Sequence, residues 1–303
     1  MKVLITGAAG RLGRMVARRL LDEHEVVGLD TGAWPGRPRE ITLHRADLRK
    51  KSTDDVLRRE HPEAVVHLAS LRHVFNERLR HDVNVGGTRK LLDLCAKHGV
   101  RRLVVLSSSY VYGALPENAF YMAEDTGLSV SRHYPEIRDL AELDALASGF
   151  LWHYPDVATA ILRPASVLGK RSPSTMSSYL QLEVSPTVMG FDPMMQFIDE
   201  EDLARAIVRC VEQKPRGVFN VTGGAALPLH SAIRIAGGRA LPLPEPLWRV
   251  LIGTMFRFGL APAPSDAVDF LKYPCTIDGR AFREATGFVA EHDLLQSLRS
   301  VRG

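Results

Sequence analysis

Short apolar runs alternate with amphipathic stretches through the first half of the chain. Runs such as VVGL, AVVHLA and LVVLS are continuous rather than alternating, as in strands covered on both faces by helices. The spacing predicts strands over 2–6, 25–30, 41–47, 64–69, 102–107 and 158–163, with helices over 11–22, 54–61, 84–98 and 136–153. In the third of these helices Val85, Leu91, Leu92, Leu94 and Cys95 fall near one face. Strands alternating with helices indicate parallel βαβ units, so the fold class is α/β with a doubly wound parallel sheet. The regularity fades after about Val167. Residues 169–196 are rich in Ser, Pro and Met, and only a helix over 200–213, a strand over 218–222 and a helix over 246–258 stand out.

Composition narrows the class further. The 303 residues allow one large α/β unit or two coupled ones, and 45% hydrophobic with 24% charged residues excludes global disorder. Cys95, Cys210 and Cys275 are too few and too scattered for a disulfide framework or zinc cluster, which points to a reduced, cytoplasmic setting. No apolar stretch reaches the ~18 residues of a membrane span. Met1 to Thr6 runs straight into a glycine loop, so no signal peptide is expected. The net charge of +4 is spread along the chain and suggests no nucleic-acid partner. The histidines show no metal-binding spacing, so no metal site is expected. A Gly-x-Ser-x-Gly nucleophile turn is absent.

The first predicted strand ends in Gly7-Ala8-Ala9-Gly10-Arg11-Leu12-Gly13, and a helix follows at once. In such a loop the first glycine permits the tight turn, the second lets a pyrophosphate approach, and the third lets helix and strand pack closely. The helix N-terminus then offers N–H groups to phosphate. The second strand ends in Asp30, 17 residues beyond Gly13. A carboxylate there accepts hydrogen bonds from the adenosine ribose and repels a 2′-phosphate, which favours NAD over NADP. Arg37 and Arg39 in the next loop leave NADP as the lesser alternative.

With its Gly-x2-Gly-x2-Gly spacing, the sequence resembles an extended short-chain dehydrogenase/reductase of the NAD-dependent epimerase/dehydratase group. Further segments match in order: Asp47-Leu48, His67-Leu68-Ala69-Ser70, Asn84-Val85-Gly86-Gly87-Thr88, Ser107 to Gly113, and Leu162 to Gly169. The resemblance covers about residues 1–170 and implies a Rossmann-type sheet with a smaller C-terminal substrate-binding portion. That gives an NAD-binding unit over 1–170 and a substrate portion over 171–303, with about 196–222 returning to the first. By the same resemblance Asp47 and Leu48 hold the adenine, Leu68, Ala69 and Ser70 line the cofactor cleft, Asn84 lies near the active site, and Pro164 packs against the nicotinamide. The family is often dimeric, so a homodimer is expected.

Hydride transfer to or from an alcohol carbon needs a group that exchanges the hydroxyl proton, and a phenol near pKa 10 serves only when a cation stabilises its phenolate. The family uses a Tyr-x3-Lys pair and a serine after the fifth strand. Here the matching segment is His133-Tyr134-Pro135-Glu136-Ile137-Arg138, and Tyr134 lies 26 residues beyond Ser108. Arginine stands where the family has lysine, and its larger fork is not a conservative exchange. Tyr134 and Arg138 form a variant dyad, or another group handles the proton, or the domain binds nucleotide without turnover. Pro135 fits if it occupies the first helical turn. Tyr110, Tyr112 and Tyr121 lack a basic residue four positions on and read as packing. Arg72 and His73 either face substrate or are solvated loop residues.

The C-terminal portion sets the substrate in this family. A nucleotide sugar needs a basic clamp, for which Lys170, Arg171, Arg249 and Arg280 are candidates; the alternative is a non-sugar carbonyl compound. The stretch 246–258 is notably apolar. It reads as a helix over the cleft, as a greasy pocket or oligomer contact, or as an interfacial membrane helix.

Overall fold

The computed structural model describes residues 1–71, 74, 76–129, 134–170, 172, 174–258 and 265–302. Arg72, His73, His133 and Arg171 lie outside the described residues.

Seven parallel strands form the central sheet: β1 (Lys2–Thr6), β2 (Glu25–Asp30), β3 (Thr42–Arg45), β4 (Ala64–His67), β5 (Arg102–Leu106), β6 (Ala158–Pro164) and a strand returning later, Gly217–Val221. The helices between them are α1 (Arg11–Leu20), α2 (Lys51–Glu60), α3 (Glu77–His81), α4 (Gly87–Lys97) and α5 (Pro135–His153). The continuous apolar runs are explained by alternation within the strands. Val3 and Ile5 of β1 join one helical layer, while Leu4 joins the other. The first layer is α1 with a later helix, α7 (Glu200–Gln213), through Val16, Ala17, Leu203 and Ile207. The second includes Leu57 of α2, Leu91 and Cys95 of α4, and Leu143 and Ala147 of α5. Sequence order reverses on either side of β1, which has β2 on one side and β4 on the other. Ligands of open α/β sheets bind beyond the strand ends at such a switch point.

The C-terminal portion has its own core, built from Leu180, Val188, Phe197, Leu229 and Trp248. The remaining elements after β6 are β7 (Ser166–Leu168), α6 (Thr175–Leu180), β8 (Val184–Val188), β9 (Met194–Met195), β10 (Phe197–Asp199), α8 (Leu229–Ile235), α9 (Glu245–Arg257), α10 (Arg280–Thr286), whose Phe282 packs in the α1–α7 layer, and α11 (Leu294–Ser300). In chain order β11 is Gly217–Val221, the edge strand beside β6; β12 (Leu227–Pro228) pairs with β9 and β13 (Arg239–Leu243) with β8.

Three expectations are corrected. The helix expected from residue 84 starts as a wide π-helical turn over Asp82–Gly86; the Asn84 side chain there is held by backbone outside the helix. Region 169–196, expected to be irregular, contains α6 and β8. Its interior includes Ser177, Ser185 and Thr187, whose hydroxyls find local partners such as the carbonyls of Val167 and Tyr179, so burial there leaves no hydrophobic period. None of the described residues of the apolar helix α9 lines the cleft over the strand ends. The helix inserts Trp248 into the C-terminal core and leaves Leu247, Val250 and Leu251 exposed. Among the described residues no helix is long and apolar enough to cross a membrane.

The C-terminal segment is clipped to α7 by Asp202, whose carboxylate accepts N–H bonds from Glu291 (3.1 Å) and His292 (3.0 Å) and lies 3.1 Å from His292 Nδ1. Burial alone would raise the Asp202 carboxyl, but these hydrogen bonds bring it below its ordinary 3.8. The bond to Asp202 raises His292 above its ordinary 6.5. The His292 contribution is therefore fully present below pH 6.5 and disappears as pH rises through its raised value; that of Asp202 is present above pH 3.8 and disappears in acid. Hydrogen-exchange protection across 291–302, relative to the intrinsic rate at each pH, should be greatest between those two values. Because His292 is half-exposed, His292→Ala should remove the alkaline decline at a cost below about 1 kcal/mol. Equal protection of the native segment on both sides of neutrality would contradict the clip.

Candidate functional site

The glycine loop is shaped by contacts that admit no side chain. Gly7 has φ +72°, and a Cβ there would meet the Ala69 backbone at 2.8–2.9 Å. A Cβ on Gly13 would overlap the Gly7 carbonyl. Gly10 is exposed, and its N-cap position at α1 carries no side-chain cap. The first N–H groups of α1 are thus presented without a capping oxygen, an arrangement suited to an anion.

Asp30 sits beside this loop. One carboxylate oxygen accepts the Ala9 N–H at 2.9 Å and the other the Gly32 N–H at 2.8 Å. Asp47 is bound by Arg49, whose guanidinium approaches to 2.6 Å and draws the carboxyl below its ordinary 3.8. Leu48 is buried and lies against Gly87. Asn84 clamps Leu71, accepting its N–H at 2.7 Å and donating to its carbonyl at 2.9 Å, which anchors the chain just after Leu68, Ala69 and Ser70.

A cleft of about 310 Å³ opens over the strand ends. The glycine loop, including Arg11 and Leu12, lines it together with Leu68 and Ser70; so do Ser108, Tyr134 and Pro164. Asp30, Asp47, Leu48, Ala69 and Asn84 are not among its lining residues. Arg138 is not in the lining. Its guanidinium lies 3.9 Å from the carboxylates of Glu77 and Asp139. The local reason is Pro135, which starts α5 and leaves Tyr134 as a non-helical cap at φ −117°, ψ 85°, so the two side chains do not share a regular i, i+4 helix face. Arg11 donates to Glu200 at 2.7 Å.

Several residues escaped the sequence reading. Tyr110, read as packing, lines the cleft and shares a 2.9 Å hydrogen bond with Ser166, although its ring also packs 4.7 Å from Phe270. Beneath the cleft, Ser107 donates to Asp144 at 2.6 Å; Asp144 pairs with Arg163 at 2.6 and 2.9 Å; Arg163 donates to the Tyr112 hydroxyl at 2.8 Å, which donates to Asn220 at 2.8 Å. The available signal was Arg163, the one charge in the apolar strand β6; Asp144, one of several charges in α5, carried none. Lys170 borders a separate surface hollow with Gln181 and Arg302, Arg249 binds Glu245 and Asp269, and Arg280 binds Asp278.

A doubly wound parallel sheet, a glycine loop without side-chain space and an uncapped helix start at the switch point define a dinucleotide-binding type of protein. The chain belongs to the NAD dependent epimerase/dehydratase family, which it matches over residues 3–222. An uncharacterised protein of Mycobacterium tuberculosis is 30% identical over 255 residues, covering 80% of this chain and 67% of that one. Among solved structures, UDP-glucose 4-epimerase of Thermus thermophilus in complex with NAD superposes with TM-score 0.78 at 22% identity, covering 100% of this chain and 98% of that one. MoeE5 in complex with UDP-glucuronic acid and NAD gives TM-score 0.76 at 25% identity, covering 99% and 97%.

Under the cleft His67 forms a directed chain. The Ala69 N–H donates to Thr6 Oγ1 (3.3 Å), which donates to His67 Nδ1 (2.7 Å); His67 Nε2–H donates to Thr88 (2.8 Å), which donates to the Asn84 carbonyl. Because the Thr88 proton is committed to that carbonyl, His67 is neutral with its proton on Nε2. Burial pushes it down to about 4. Stability from the neutral ring is present above pH 6.5 and is lost as pH falls through about 4. Nitrogen NMR should show the Nε2–H form through neutral pH and a titration near 4; a midpoint near 6.5 would contradict the buried chain.

Proposed function

We propose that the chain binds NAD in this cleft and exchanges hydride with the carbinol carbon of a hydroxyl-bearing small molecule, as an epimerase, dehydratase or dehydrogenase does. The observation that carries the reading is the presence of Tyr134 and Ser108 in the same cleft as the glycine loop. Family membership and neighbours solved with NAD support it. The residues present fit the dinucleotide: the loop excludes side chains where a pyrophosphate would lie, and Asp30 brings a carboxylate to the end of β2. Gly7, Gly10, Arg11, Leu12 and Gly13 would hold the pyrophosphate, Asp30 the ribose, Asp47 and Leu48 the adenine side, and Leu68, Ala69, Ser70, Asn84 and Pro164 the nicotinamide half. The NAD-binding unit in this reading is 1–170 with about 196–222 added, and 171–303 otherwise shapes the substrate side.

Bound NAD supplies the hydride acceptor. The protein handles the proton. Tyr134 takes it from the substrate hydroxyl, and its place at the N-terminal end of α5 favours negative charge there. Ser108 Oγ accepts the Tyr110 N–H at 3.2 Å, which leaves its own proton to donate to the substrate oxygen. Arg138 would need to leave Glu77 to stabilise phenolate or ribose. That placement favours a second reading, nucleotide binding without turnover.

Tyr134→Phe separates the two. Calorimetry should show unchanged NAD affinity, while NADH formation on any alcohol the native protein oxidises should fall by about 10²–10⁴. Unchanged turnover would remove Tyr134 from the chemistry. Absence of turnover by the native protein across a broad alcohol panel would favour binding alone.

A further inference from the structure

Resting on the assignment of Tyr134 to proton exchange, we propose that Phe270, in the C-terminal portion, is a positioning residue that sets the Tyr134 ring for the reaction. Phe270 lies in a 3₁₀ helix, Ser265–Leu271, where residues three apart stack on one side. The two sides of this helix serve different clusters. Val268 and Leu271 are buried in the C-terminal core with Leu229 and Trp248. Ala267 and Phe270 pack instead against the buried group that contains Tyr134, Ile137 and Leu140. The helix is tied to the first turns of α9 on both flanks of Phe270: Asp269 pairs with Arg249, and Lys272 Nζ lies 2.8 Å from Glu245. The C-terminal portion thus holds this ring and delivers it to the N-terminal end of α5.

Tyr134 needs such a partner because α5 does not orient it. A residue inside a helix has its side chain directed by the neighbouring turns, whereas Tyr134 is a non-helical cap ahead of Pro135. Its ring meets Phe270 edge to face, with centroids 6.3 Å apart and planes at 81°, within the range in which aromatic pairs prefer that arrangement. The same Phe270 ring lies 4.7 Å from that of Tyr110, tilted by 52°. Both phenols line the cleft, and Phe270 is not among its lining residues. Phe270 therefore acts through the phenols rather than on substrate. Truncating it removes this support while keeping both hydroxyls, and a displacement of about 1 Å at a reacting group can cost about 10²-fold in rate.

Full-length protein with ¹³C-labelled tyrosine rings reads the placement without any substrate, the Tyr134 signal being identified by its loss in Tyr134→Phe. Phe270→Ala should displace that signal, because the neighbouring ring is gone, while calorimetric NAD affinity stays within about twofold of native. On any alcohol the native protein oxidises, kcat should fall by about 10–100-fold with KM within about threefold, and Phe270→Tyr, which keeps the ring, should recover most of the loss. An undisplaced Tyr134 signal overturns the proposal, as does an unchanged kcat or a loss of NAD affinity that matches the loss of rate. Absence of NAD binding or of any turnover by the native protein overturns the underlying reading of the cleft instead, and the Tyr134 signal still decides whether Phe270 places the ring.

Discussion

Helix α1 begins against the carbonyl of Gly7, closer than any side chain at Gly13 would allow. This contact sets the placement of the rest of the site. It brings the uncapped start of α1 to the end of β1, where the sheet order reverses. It also requires the positive φ of Gly7, which in turn lets the Ala69 backbone press onto the loop. Asp30 closes the arrangement from the other side by accepting the Ala9 N–H. A methyl group at Gly7 or Gly13 would therefore separate helix, strand and the 68–70 segment together.

The floor beneath the cleft depends on polar burial. Ser107, Asp144, Arg163, Tyr112 and Asn220 connect β5, α5, β6 and β11 through hydrogen bonds of 2.6–2.9 Å. Removing one partner of a buried ion pair costs about 3–5 kcal/mol because the other charge is stranded. The network thus holds the strand that precedes Ser108 and the helix that follows Tyr134 in one register. The chemistry assigned to those two side chains needs such a rigid base.

The sheet was legible because each central strand is covered on both faces, so burial leaves continuous apolar runs. The glycine loop was legible because steric exclusion permits only one residue type at Gly7 and Gly13. The C-terminal portion was not. Ser177, Ser185 and Thr187 are interior there, and β8, β9, β12 and β13 pair in two-stranded units with little period of their own. In the site, the spacing of Tyr134 and Arg138 suggested a shared helix face, but Pro135 moves the helix start between them. Tyr110 looked like packing because a hydroxyl bonded to a residue 56 positions away leaves no local signal.

The half of the cleft built on backbone geometry suits a dinucleotide, whereas the half built on side chains combines aliphatic surface with hydroxyls and carboxylates. The central claim is that the first half holds NAD, with Asp30 discriminating against a 2′-phosphate. Calorimetric titration of the native chain with NAD and NADP tests it most directly. The account predicts that NAD binds at least about tenfold more tightly, from one lost ribose contact and one added charge repulsion. Equal or tighter binding of NADP, or binding of neither, would contradict it.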